Sequence, residues 1–282
     1  MGVSTNFAVA GAFALLLAGL ANAGDSTSQP IRGGGAHFSW VVFEALESEL
    51  EQKTGRELTL FGRKSMLGAG CKAGIDVAKE SRPGHETFGL VCCDTKKEIL
   101  EKEGLVQHPI ANEPILILVN KSNPVNDLSV DQVRGLFSGK IRNWKQVGGP
   151  DKPVAVITRL HCKHNPGHWK TILPGEEHFS KDRVNVKSAA EMVARVTDFA
   201  NAIGHTGSTW DFGSDSRVKA VKIGGIEAST ENMKKKRYPF FRQLGVVTVK
   251  QPGKDVMQII HEVQAGESFR KLARQYSLQP LH

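Results

Sequence analysis

The sequence predicts an α/β protein. Helical and strand signals alternate along it, its strand candidates are short apolar runs of the kind buried in a parallel sheet, and polar loops leave the ends of those runs. Taken in order, Trp40, Phe43, Leu46 and Leu50 recur at helical spacing and Gly55 supplies the stop. ELTLF, residues 57–61, reads as a short strand, and ILILV, residues 115–119, as a fully buried one. Ser129 followed three residues later by Gln132 is a capping box. The helix it opens, VDQVRGLF, buries Val130, Val133, Leu136 and Phe137 and stops at Gly139. VAVIT, residues 154–158, is another strand and delivers the chain into TRLHCKHNPGHW, residues 158–169: one thiol and three imidazoles around a Pro166-Gly167 turn. Ser188 and Glu191 cap a further helix carrying Met192, Val193 and Val196, and residues 256–263 and 269–276 read as two short helices. There is no internal repeat and no long low-complexity linker. Ligands of open α/β sheets bind where loops leave strand ends, so function is sought there.

The 282 residues suffice for one large or two modest domains. Residues 7–20 form an apolar run too short to span a bilayer comfortably, and Ala21-Asn22-Ala23 is an A-x-A cleavage pattern. The expectation is a signal peptide over residues 1–23, cleaved after Ala23, and a mature periplasmic chain beginning at Gly24. The formal net charge of +8 favours an anionic solute or surface; export argues against nucleic acid. The basic run Lys234-Lys235-Lys236-Arg237 is read as a solvated loop.

Four cysteines, Cys71, Cys92, Cys93 and Cys162, permit three fully paired arrangements in an oxidising compartment. No C-x-x-C is present, and adjacent Cys92 and Cys93 cannot bridge without strain. With no H-E-x-x-H, no paired carboxylates and no third group orienting Cys162 and His164, an enzyme is not expected; a Cys/His-dependent enzyme is the last-ranked reading.

Residues 123–159 carry a more specific pattern: Asn123-Pro124 before the capped helix, Leu136-Phe137-Ser138-Gly139-Lys140-Ile141, Asn143-Trp144, then Val147-Gly148-Gly149. This block resembles the signature of the phosphate-binding-protein-like family of periplasmic solute-binding proteins of ABC transporters. Fainter echoes lie in GLVQHPI (residues 104–110), in SAAEMV with Ala202-Ile203-Gly204, and in Arg237-Tyr238-Pro239. The resemblance implies the type II two-lobe periplasmic-binding-protein fold, with ligand held between lobes joined by two crossover strands. Residues 24–112 with 212–282 would form lobe 1 and residues 113–211 lobe 2, the crossings falling near residues 111–115 and 207–211. It also implies a monomer serving an ABC permease or a membrane sensor.

That family grips its anion with loops at helix N-termini, where amide groups and the helix dipole favour negative charge. By position these correspond to Gly33-Gly34-Gly35-Ala36-His37 and to residues 65–71, including Gly68, Ala69, Gly70 and Cys71. In the third and fourth contact segments, where the family offers hydroxyls, this chain has Cys92-Cys93 and His161-Cys162-Lys163-His164, with His168 shortly after. Two readings follow. In the first, Cys71, Cys92, Cys93, Cys162, His164 and His168 hold a soft ligand, copper, zinc or a metalloid such as arsenite, and phosphate binds weakly. In the alternative, structural disulfides pair the thiols, and Arg63, Lys64, Lys163 and backbone amides hold an oxyanion. His205, beside the expected second crossing, is open to both a cleft-facing and a core reading.

Overall fold

The computed structural model describes Met1 and residues 29–61, 70–162 and 167–282. The expected signal peptide, and Arg63, Lys64, Gly68, Ala69, Lys163 and His164 of the expected site, lie outside the described residues. In chain order the elements are β1 (Ile31–Gly35), α1 (His37–Thr54), β2 (Leu58–Phe61), α2 (Gly70–Lys79), β3 (Thr87–Val91), α3 (Lys97–Lys102) and β4 (Leu105–Asn120). Then come β5 (Asp127–Leu128), α4 (Val130–Ser138), β6 (Ala155–Thr158), β7 (Val184–Asn185), α5 (Ala189–Asp198), β8 (Ala202–Gly207), β9 (Val218–Ala220) and β10 (Lys222–Ile223). The chain closes with α6 (Thr230–Lys234), β11 (Phe241–Val249), α7 (Lys254–Ala265), α8 (Glu267–Gln275) and β12 (Gln279–Pro280).

The elements form two α/β lobes. In lobe 1, β2, β1 and β3 run parallel, and β11 joins antiparallel to both β3 and β4. Its core gathers Phe43, Leu50, Phe88, Leu90, Val246, Ile260 and Phe269; burying each such side chain is worth roughly 1.5–3 kcal/mol. In lobe 2, β4 pairs antiparallel with β8, which runs parallel to β6, and β6 parallel to β7. Ile115, Ile117, Val133, Leu136, Phe137 and Trp144 pack there. The strand β4 belongs to both lobes: residues 105–114 pair with β11 and residues 115–119 with β8.

β4 thus passes from one lobe to the other at residues 114 to 115. After β8 the chain stays in lobe 2, because β9 pairs with Leu118, Val119 and Asn120 of β4, and Val221, Ile223, Met233, Tyr238 and Phe240 join the lobe 2 core. It passes to lobe 1 at β11, where the Ile115 amide donates to the Phe240 carbonyl at 2.7 Å. Residues 212–240 thus belong to lobe 2, not lobe 1. The physical cause is the β4 edge that β8 leaves open over residues 118–120, which β9 covers.

The block at residues 123–159 is scaffold. Ser129 and Gln132 close a reciprocal capping box on α4, and Gly139 ends that helix at φ 75°, a left-handed conformation that glycine adopts without strain. Asn143 and Gln146 repeat the device on the short 3₁₀ turn that follows. Trp144 is fully buried and donates from Nε1 to the Asn201 carbonyl at 2.8 Å.

Candidate functional site

Four segments come together at the lobe junction: the N-termini of α1 and α2, the end of β3, and the end of β6. Three of the four deliver cysteines. Cys71 lies in the first turn of α2, Cys92 and Cys93 directly follow β3, and Cys162 follows β6. All four are free thiols and converge on one spot. Cys71 Sγ lies 3.2 Å from Cys93 Sγ and 3.6 Å from Cys92 Sγ, while the Cys92 amide donates to Cys71 Sγ at 3.3 Å. Cys162, carried by lobe 2, packs against the core of lobe 1. It is the one half-buried member of the group; the other three are buried.

The thiols set one another's charge. Donation from Cys71 and Cys93, aided by His161, holds the Cys162 thiol far below its ordinary range despite burial. Donating to Cys162 pushes Cys71 and Cys93 up in turn. The hydrogen bond from Cys71, helped by the charges of Arg242 and His161, draws Cys92 down to about 6 against the opposing effect of burial. The cluster is thus acceptor sulfurs solvated by donor sulfurs, beside cationic groups.

The chief cation is Arg242 on β11. Its side chain is 2 % exposed and Nε donates to Oε2 of Glu113, itself fully buried on β4. Nη1 lies 3.4 Å from His168 Nδ1, and the guanidinium carbon sits 3.6 Å above the centre of the Phe38 ring. Nη2 is buried with no partner among the described residues. Glu113 Oε1 accepts from the Thr209 amide at 2.9 Å and its hydroxyl at 2.6 Å. Arg159, at the end of β6, donates from Nε to the Lys187 carbonyl. His37 opens α1 within reach of both guanidinium charges; burial first, then Arg159 and Arg242, lowers its pKa and keeps it neutral near pH 7. It stacks on Trp40 at 5.6 Å and meets Trp210 at 5.1 Å.

The histidines of the β6 loop form a chain with His205. Ring centres of His161 and His168 are 4.8 Å apart, and those of His168 and His205 5.2 Å. Trp169 anchors the loop by donating from Nε1 to the His161 carbonyl at 2.6 Å. Burial, reinforced by the neighbouring cations, pushes His168 well down and His205 down to about 3. His205 Nε2 lies 3.4 Å from the Arg159 amide as its acceptor, and its Nδ1 is buried without a partner among the described residues, as is His161 Nδ1.

Of the expected site residues, the structure brings together His37, Cys71, Cys92, Cys93, His161, Cys162 and His168. Gly34 and Gly35 are placed differently. They belong to β1 and not to a loop, and Ala36 is the N-cap of α1, its amide donating to the Leu90 carbonyl at 2.8 Å. At Gly35, with φ 133°, an added Cβ would stand 2.7 Å from Gly74 Cα. This glycine is there so that α2 can lie close on the sheet, which carries Cys71 to the other thiols. Gly70, at φ 69°, begins α2. Among the described residues, no three His, Cys, Asp or Glu side chains are so placed that they could hold a metal ion. The sulfurs touch one another, and His168 is turned toward Arg242 and His205. Arg242, Glu113, Arg159 and Thr209 were not singled out from sequence. The available signal was a charge on the buried face of a strand: Arg242 alternates with Leu244, Val246 and Thr248, all buried.

Comparison with known proteins follows the same lines. The PBP superfamily domain matches residues 66–269. The phosphate-binding protein PstS of Bacillus subtilis (strain 168) is 27% identical over 147 residues, 52% of this chain and 48% of that protein. PstS of Borreliella burgdorferi is 25% identical over 175 residues, 59% of this chain and 62% of that protein. The chain thus spans about half the length of the curated relatives it matches. A crystal structure from Clostridium perfringens, described as a phosphate ABC transporter substrate-binding protein with bound phosphate, superposes with a TM-score of 0.73 at 25% identity, covering 90% of this chain and all of that one. An ABC-type phosphate transport receptor from Vibrio cholerae gives 0.65 at 21% identity, covering 89% of this chain, and shares the fold. On the extent of the domain match and the two-lobe architecture alike, this chain belongs to the PBP superfamily.

Proposed function

We propose that the protein is an exported solute-binding protein that holds a small oxyanion in the cleft between its lobes and presents it to an ABC permease or a membrane sensor. The observation that carries this reading is Arg242: a buried guanidinium at the lobe junction with one amino group, Nη2, lacking an acceptor among the described residues. Leaving such a group unpaired is costly, and an anion is the ligand that would complete it. Arg159 and the N-terminus of the 18-residue α1 add positive potential from either lobe. The relatives named for phosphate binding support the same class of ligand. The reading favours the oxyanion over the soft ion, because a buried guanidinium calls for an anion and the relatives are named for phosphate binding.

Phosphate, arsenate and sulfate are titrated calorimetrically into reduced protein. Stoichiometric binding of at least one is expected, weakened roughly tenfold or more in the charge-balanced double variant Glu113→Gln/Arg242→Met. Copper(I), zinc and arsenite titrated in parallel test the soft-ligand expectation. Tight binding of one of these with no response to any oxyanion would overturn the proposal.

A further inference from the structure

The four thiols have no part in holding an anion by charge, yet they are the most concentrated chemical feature of the cleft. They also divide between the lobes: Cys71, Cys92 and Cys93 on lobe 1, Cys162 on lobe 2. We propose that this cluster is an oxidative modification site, in which a disulfide-bearing oxidant of the exported compartment joins Cys162 to Cys71 or Cys93 and fastens the two lobes together.

Three observations support the pairing across the lobes. Cys162 is half-buried whereas its three neighbours are buried, so it is the sulfur an external oxidant can reach first. Its backbone is left-handed at φ 55°, one of three such non-glycine positions among the described residues and an unfavourable one for a residue with a side chain. A non-glycine residue held there is over-determined by its surroundings, and here the result is a side chain packed on lobe 1. Finally, Cys162 packs on the lobe 1 core to which Cys71 and Cys93 belong, two buried thiols whose sulfurs lie 3.2 Å apart. Their proximity also favours the Cys162 thiolate, the form that attacks.

The chemistry balances with the oxidant named. Cys162 thiolate attacks one sulfur of the external disulfide, forming a mixed disulfide and releasing the first thiolate. Cys71 or Cys93 loses its proton and attacks the Cys162 sulfur, and the second thiolate leaves. Two protein thiols are oxidised and one disulfide is reduced to two thiols. Cys92 is the spectator, since its sulfur neighbour is Cys71 within its own lobe.

The test uses the full mature chain without any solute, so its outcome is independent of the oxyanion reading. Protein treated with oxidised glutathione, then digested without reduction, is mapped by mass spectrometry. Amide exchange is compared before and after oxidation and again after reductant. The expected result is a cross-link between the Cys162 peptide and one carrying Cys71 or Cys93. Amides at the N-terminus of α1 should gain protection of about tenfold or more, since a cross-link removes open conformations, and reductant should reverse the gain. Oxidised Cys162→Ser should show no such gain. The proposal is overturned by a bridge confined to Cys71 and Cys92 or Cys93, by thiols that resist oxidation, or by a Cys162 cross-link that leaves amide exchange unchanged.

Discussion

Glu113→Gln probes the centre of the lobe junction with almost no change of shape. Glu113 is fully buried, Arg242 is 2 % exposed, and among the described residues the carboxylate is the one carboxyl partner of that guanidinium. The amide oxygen of Gln can still accept from Thr209, so the two hydrogen bonds at 2.9 and 2.6 Å survive in the favourable orientation. What disappears is the negative charge facing Nε, leaving an amide group against a guanidinium inside a buried site. Breaking a buried pair by removing one partner costs about 3–5 kcal/mol, because the remaining charge is uncompensated. For a chain of this size that is a fall in melting temperature of about 6–20 °C. Urea unfolding of the reduced, ligand-free protein measures it directly. Adding Arg242→Met to Glu113→Gln should recover most of the loss, since the double variant buries no unpaired charge. A loss below about 1 kcal/mol in the single variant would refute the reasoning, for it would mean that water or the thiolates already neutralise Arg242.

Three further outcomes are expected. His205, lowered to about 3, and His168, lowered well below its ordinary value, stay neutral in the folded protein while the unfolded chain takes up protons below pH 6.5, so stability falls on acidification. For His205 the slope is about 1.4 kcal/mol per pH unit between about 6.5 and 3, and a His205→Asn variant should show a shallower acid limb in urea unfolding. Gly89→Ala should destabilise by more than about 3 kcal/mol, because its new Cβ would collide with the Gly74 carbonyl of α2, and thiol titration should find Cys71 newly reactive as α2 is pushed off the sheet. Ser129→Ala removes half of the α4 capping box and should cost about 1 kcal/mol in the same unfolding assay, with oxyanion affinity unchanged because that helix end lies in the lobe 2 scaffold.

What was legible in the sequence is what local chemistry decides. The capping box of α4, its glycine stop and the apolar face of Val133, Leu136 and Phe137 are set by near neighbours, and the structure keeps them all. The ILILV run occupies the lobe 2 half of β4 as its uniform apolarity requires. The meeting of the cysteines rested on a family resemblance and could not be read from spacing, since Cys71 and Cys162 approach only when α2 and β6 are brought together. The second crossing was misplaced because β9 and β10 are three and two residues long, too short to leave a periodic signal. The glycines before α1 looked like a loop because glycine marks close approach as readily as a turn; only the contact with Gly74 tells which. Arg242 and Glu113 escaped notice because each stands alone in its strand, and their pairing joins residues 129 positions apart.

The 16-residue strand β4 has a mechanical consequence. A strand hydrogen-bonded to both halves offers no seam along which one half could melt while the other stands, so loss of either should propagate through its backbone. It also confines any opening of the protein to torsion within that strand and its partner β11. Pro114, the last residue of β4 paired with β11, lies at the changeover to the residues paired with β8 and contributes no amide hydrogen to resist twisting. Immediately beside it stands Glu113, clamped to Arg242 on β11. The pivot of the molecule and its buried charge pair are therefore the same few atoms, and whatever binds Arg242 also sets the stiffness of the joint.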